Sequence, residues 1–243
     1  MKTAFRGGIL AILLSFLTLT ASAQHERAEV LLETTEGNIR IALFNETPKH
    51  RDNFLELVRT HVYDSLLFHR VIKDFMVQGG DLKSKHAQPG ERLGGGELNY
   101  TIEAEFRLPT LFHRRGMVAA ARESDRVNPE QRSAACQFYI VWGRRYSDVS
   151  LGRIQERLDA QTNGRVQLSP EMIEVYKTIG GTPHLDGQYT VFGEVVEGLE
   201  VVDRIQQAAT DQFDRPYTDI RILRATVVKD LSAPSGSTSA RDR

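Results

Sequence analysis

The sequence predicts a mainly β fold, a barrel or sandwich of antiparallel strands carrying a helical insertion, on three observations. Short β-rich runs recur along the chain, turn chemistry separates them, and helical periodicity is confined to three or four places. A parallel sheet would need a helix after each strand, so antiparallel pairing is expected. At 243 residues, with 40% apolar and 26% charged side chains, the chain is long enough to bury one good core or two small ones.

The first 23 residues precede the fold. Met1, Lys2 and Arg6 make a positive start, Ile9 to Leu17 a short apolar middle, and Ala21-Ser22-Ala23 the small residues of a cleavage site. Residues 1–23 therefore read as a secretory signal peptide cut after Ala23. A membrane anchor needs about 20 apolar residues, and this run is shorter and meets polar Gln24, His25, Glu26 and Arg27 at once. The expectation is export, periplasmic or secreted, with no stable membrane insertion once the signal is gone. At the other end the Ser- and Gly-rich run from Ser232 has little that can pack, so 232–243 is expected to be a disordered tail and 24–231 the folded domain.

Between these ends, Val30 to Thr34 and Ile39 to Phe44 are β-rich runs joined by the turn residues Glu36-Gly37-Asn38, which predicts an opening hairpin. Thr47 as N-cap and Pro48 at the first helical position start a helix carrying Phe54, Leu55 and Val58 to about Thr60. Phe68 to Val77 is extended and ends in Gly79-Gly80; residues 82–99, rich in glycine, read as a surface loop. Strand-like runs resume at Gly116 to Ala121, Gln137 to Trp142, Tyr189 to Val196 and Ile220 to Val228. From about 143 to 181 the texture changes. Asp148 to Ala160 and a second run opened by Ser169-Pro170 have helical spacing, which makes this stretch a helical insertion within the domain.

The charge balance, 31 basic against 32 acidic residues, offers no basic field for nucleic acid. The single cysteine, Cys136, excludes an internal disulfide and a paired-cysteine zinc site. No Gly-x-Ser-x-Gly, His-Glu-x-x-His, Walker or dinucleotide signature is present, and the seven histidines are scattered. What remains is the fourteen-residue run Phe68-His69-Arg70-Val71-Ile72-Lys73-Asp74-Phe75-Met76-Val77-Gln78-Gly79-Gly80-Asp81. A turn at Lys73-Asp74 would gather Arg70, Phe75, Met76 and Gln78 around one hollow. On pattern alone, a solvated Arg70 beside core Phe75 and Met76 is the simpler reading.

This run resembles the central motif of the cyclophilins, the peptidyl-prolyl cis-trans isomerases. Gly116 to Arg122, Gln137 to Ile140 and Leu185 to Gly193 agree with the same family in the same chain order, and the likeness spans Val30 to Lys229 apart from the inserted helices. The resemblance implies a closed eight-stranded antiparallel cyclophilin-like barrel capped by two helices, those starting at Pro48 and at Leu199. Carried over by position, Arg70 is the catalytic arginine, Phe75, Met76, Tyr139 and Leu185 wall the proline pocket, and Gln78, Ala121 and Gln137 line the peptide groove. His184, Tyr189 and Arg122 stand where many members carry tryptophan, histidine and asparagine, the first of these being tied to cyclosporin binding.

The activity so implied is rotation of X-Pro bonds in exported proteins that are folding. It needs no cofactor or metal, its partners would be proline-containing polypeptides, and a monomer suffices. Two other readings stay open: a proline-segment binding or chaperone module with little turnover, and an assembly protein whose inserted helices dock a partner.

Overall fold

A computed structural model describes residues 26–231. The expected signal peptide and tail thus lie outside the described residues. The opening hairpin is β1 (Glu29–Thr34) and β2 (Gly37–Leu43), in register from Glu29 opposite Ala42 to Thr34 opposite Gly37. Along β1 the alternation is regular, with Val30, Leu32 and Thr34 buried and their neighbours half-buried.

Helix α1 (Pro48–Arg59) follows with Thr47 at the N-cap position and Pro48 in its first turn, as expected, but the Thr47 side chain makes no capping hydrogen bond. The Thr47 hydroxyl is buried without a partner. Instead the Glu105 carboxylate accepts the N–H groups of Lys49 at 3.3 Å and His50 at 3.1 Å. A carboxylate at a helix start satisfies orphan donors and the positive end of the helix dipole together, which a hydroxyl does less strongly.

The remaining strands of the main sheet are β3 (Arg70–Ile72), β4 (Met76–Gly79), β6 (Met117–Ala120), β8 (Phe138–Val141), β9 (Val191–Glu197) and β10 (Ile222–Lys229). They pair antiparallel in the order β10-β1-β2-β9-β6-β8-β4-β3. The sheet is curled. Its edge strands β3 and β10 stand at the two ends of that order and share no ladder of their own. An isolated Leu67–Arg221 bridge and backbone bonds such as Phe68 N–H to the Ile220 carbonyl, 2.9 Å, link the run before β3 to the start of β10. The pattern gave no hint of a second, two-stranded sheet, β5 (Thr101–Ile102) with β7 (Ser133–Ala134), because two-residue strands have no period to read.

Successive residues of the central strands are buried on opposite faces. Val118, Ala120, Phe138 and Ile140 belong to the main core with Phe54, Leu55 and Val58 of α1 and with Val201, Val202 and Ile205 of α4 (Leu199–Gln206), so these two helices cover the core as expected. Met76, Met117, Ala119, Tyr139 and Val141 form a separate cluster on the other face, and this cluster floors the site. The inserted helices are α2 (Asp148–Thr162) and α3 (Pro170–Thr178). Ser147 caps α2 in a reciprocal box with Ser150, and Ser169 caps α3 through the Met172 N–H. Leu151, Ile154, Leu158, Met172 and Tyr176 bury one another in a third cluster, completed by Leu108, Phe112 and Tyr146 from outside the helices. Two short helices cannot enclose a core alone, and these borrow one wall.

Candidate active site

The turn that the sequence placed at Lys73-Asp74 is present: Asp74 has φ 57°, and β3 folds back on β4 with Arg70 opposite Gln78 and Ile72 opposite Met76. On the far side of β4, Gln78 stands opposite Tyr139, and Tyr139 opposite Ala119. Three adjacent strands therefore set Arg70, Gln78 and Tyr139 in a row across one face. Gly80 permits the exit from β4: it has φ +95°, and a Cβ there would lie 2.0 Å from the Cys136 carbonyl oxygen. The Cys136 thiol is buried, which pushes its pKa up to about 11 and leaves it unreactive.

The row opens into a cavity of about 290 Å³. Eight of the ten sequence-predicted site residues line it: Arg70, Phe75, Met76, Gln78, Ala121, Tyr139, Leu185 and Tyr189. Gln137 and His184 do not. Gln137 stands behind Gln78, accepting from its amide at 3.0 Å while donating to Glu97 at 2.7 Å and to the Gly94 carbonyl at 3.1 Å. His184 stacks behind Phe75 with ring centroids 5.5 Å apart. Both therefore hold groove residues in place without lining the hollow, Gln137 through the Gln78 amide and His184 through the Phe75 ring. Burial, with His113 nearby, lowers the pKa of His184.

Arg70 is held from two sides. Its Nε donates to Asp214 at 3.2 Å and its Nη1 to the Gln78 amide oxygen at 3.5 Å. Nη2 has no hydrogen bond among the described residues. Asp214 reaches this position on a loop that also accepts the Val71 N–H at 2.8 Å through its carbonyl. The three departures from the family pattern serve local packing. Arg122 lies 4.5 Å over the Tyr189 ring and donates to the Gln188 carbonyl at 2.7 Å, so the two substitutions answer one another as a cation–π pair.

Sequence reasoning missed the far rim. Asp211, Phe213 and Arg215 line it together with Arg92, whose guanidinium lies 5.1 Å over Phe213. Nearly buried Arg215 fastens this loop to the other rim by donating to the carbonyls of Gln88 at 2.9 Å and Glu91 at 2.7 Å. Asp211 accepting the N–H groups of Phe213 and Arg215 makes a turn that Asp-x-x-Asp-Arg-Pro could have signalled, though not its destination. His69 also reaches the cavity, 3% exposed and with neither ring nitrogen in an aligned hydrogen bond. Burial outweighs the pull of Asp81 and lowers its pKa to about 4.

A sequence model of the cyclophilin type peptidyl-prolyl cis-trans isomerase/CLD family matches residues 29–227. Over 199 residues the chain is 30% identical to peptidyl-prolyl cis-trans isomerase CYP18-1 of Arabidopsis thaliana, covering 82% of this chain and 94% of that one. It is 31% identical over 205 residues to peptidyl-prolyl cis-trans isomerase-like 1 of Neurospora crassa, covering 83% and 95%. The crystal structure of a Cryptosporidium parvum cyclophilin type isomerase matches the fold with a TM-score of 0.59 at 22% identity, covering 84% of this chain and 99% of its own. That protein was also crystallised in the presence of the dipeptide Ala-Pro. Matched from its first strand into its last, and at 30% identity across most of both chains, the protein belongs to the cyclophilin-type peptidyl-prolyl cis-trans isomerase family.

Proposed function

We propose that the protein accelerates cis-trans rotation of X-Pro bonds in exported polypeptides, with Arg70 as the catalytic residue. Resonance gives the prolyl C–N bond a rotation barrier of about 18–20 kcal/mol, and uncatalysed exchange takes roughly tens to hundreds of seconds. No bond is made or broken, so the catalyst needs only a surface that binds the twisted amide better than either planar form. In the twisted state the prolyl nitrogen loses conjugation and becomes a hydrogen-bond acceptor. The Arg70 Nη2, uncommitted while Asp214 and Gln78 hold the rest of the fork, is placed to donate to it. Phe75, Met76, Tyr139 and Leu185 supply an apolar socket for the ring. The backbone bonds between 65–68 and 220–222 support reading the curled sheet as a closed barrel, a rigid frame for this geometry.

The observation that carries the reading is a guanidinium fixed at the wall of a cavity whose floor is apolar. Export rests on the positive start, apolar middle and small-residue site of residues 1–23. A charge-assisted hydrogen bond present only in the twisted state, about 2–3 kcal/mol, supplies about two powers of ten in rate. In a coupled proline-peptide assay the protein is expected to be active and Arg70→Ala to lose about 100-fold in kcat/KM while keeping its fold. A folded Arg70→Ala variant at full rate removes Arg70 from the mechanism. If turnover is absent while aggregation of an unfolded client is suppressed equally by both proteins, the chaperone reading replaces the enzyme.

A further inference from the structure

A buried chain of hydrogen bonds runs from the helical insertion to the wall of the proline pocket. On α3, Tyr176, with 0% exposure, donates its hydroxyl to Asp186 Oδ2 at 2.6 Å. The other oxygen, Asp186 Oδ1, accepts both the backbone N–H and the ring Nδ1 of His113, each at 2.8 Å. With Nδ1 turned to the carboxylate, His113 Nε2 lies 3.0 Å from the Tyr139 hydroxyl and accepts from it in the neutral ring. The His113 and Tyr139 rings also lie nearly parallel, 13° apart with centroids at 6.1 Å. All four residues are 4% exposed or less.

We propose that the insertion acts through this chain, Tyr176 and His113 being positioning residues that set the angle of the Tyr139 pocket wall and so the affinity for proline segments. The physical case starts at Asp186, a carboxylate with no exposure whose side chain has three donors, of which Tyr176 supplies one. A buried carboxylate short of a donor must turn to find another. Asp186 also fixes the tautomer and tilt of His113, as an outer carboxylate does for a functional imidazole. If His113 tilts, the Tyr139 hydroxyl is left buried without an acceptor, and the ring must move in the cavity to satisfy it. Phenylalanine at 139 would break the chain at its last link. Tyrosine there and a tyrosine in the inserted helix are the two hydroxyls that make insertion and pocket one unit.

The proposal rests on the isomerase reading for the meaning of the pocket, so its test reads binding as well as turnover. The proteins are the full chain and its Tyr176→Phe, Tyr139→Phe and doubly substituted variants, each first shown to be folded by near-ultraviolet circular dichroism and its melting temperature. Kd for a proline tetrapeptide is measured by calorimetry, and KM and kcat by the coupled assay. Tyr176→Phe is expected to raise Kd and KM by about three- to tenfold with kcat changed by less than about twofold. In the Tyr139→Phe background the same substitution should change Kd by less than about 1.5-fold, since the link it acts through is gone. The downfield proton of His113 Nδ1 should shift in Tyr176→Phe. Equal effects of Tyr176→Phe in both backgrounds, or an unchanged Kd in the native one, overturn the proposal. A wild-type protein that binds the peptide without turning it over defeats the isomerase reading and leaves the Kd comparison to decide this one.

Discussion

At the scale of single residues the site depends on aim more than on attraction. Arg70 and Asp214 are 42% and 40% exposed, and an ion pair so open to water contributes about 0–1 kcal/mol. What Asp214 does is restrict where the guanidinium points. Asp214→Asn is therefore expected to fold normally, because asparagine tolerates its φ of 63° and the carbonyl bond to Val71 remains. It should lose no more than about fivefold in kcat/KM, the rate equivalent of about 1 kcal/mol. A loss near that of Arg70→Ala in the proline-peptide assay would mean that Asp214 takes part in the chemistry itself. The motif run named Arg70 but not Asp214, which stands 144 residues further along the chain.

At the scale of elements, the inserted helices belong to the fold's interior by way of their own small core. Leu158, with 0% exposure, packs in that cluster and not in the main one. Leu158→Ala is expected to cost about 2–4 kcal/mol, the usual range for a buried leucine that leaves a cavity. Urea unfolding checks this: a change below about 1 kcal/mol would show that the insertion melts separately from the sheet. Periodicity was enough to place α2 and α3, since each has its own apolar stripe and its own serine cap. It placed the N-cap position of α1 at Thr47 correctly but not the group that satisfies the helix start, because Glu105 reaches that helix from another part of the chain. The two-residue strands β5 and β7 carried no local signal at all.

Over the whole molecule, buried histidines set an acid limit. His69 has its pKa lowered to about 4 by burial, and burial moves His50 and His184 in the same direction. Well above about pH 6.5 these rings are neutral whether the chain is folded or not, so their protonation makes no difference to stability there. As pH falls from there to about 4 the unfolded chain takes up a proton that folded His69 refuses, so stability declines through that window and this contribution levels off below it. For His69 the decline is at most about 3 kcal/mol, at 1.36 kcal/mol per pH unit. Urea midpoints should drop between pH 7.5 and 4.5, and His69→Leu should drop less; equal slopes for the two proteins would contradict the assignment.

By itself the sequence determined the local elements and the identity of the motif. Strand alternation, helix spacing and turn residues are properties of neighbours a few positions apart, and the run from Phe68 to Asp81 carried its family likeness in plain order. Only the tertiary structure decided which groups stand beside Arg70, that Gln137 and His184 support the pocket without lining it, and that α3 is tied to Tyr139 through Asp186 and His113. Those meetings join residues far apart in the chain. They are set by how the curled sheet packs as a whole, for which no short stretch of sequence holds a signal.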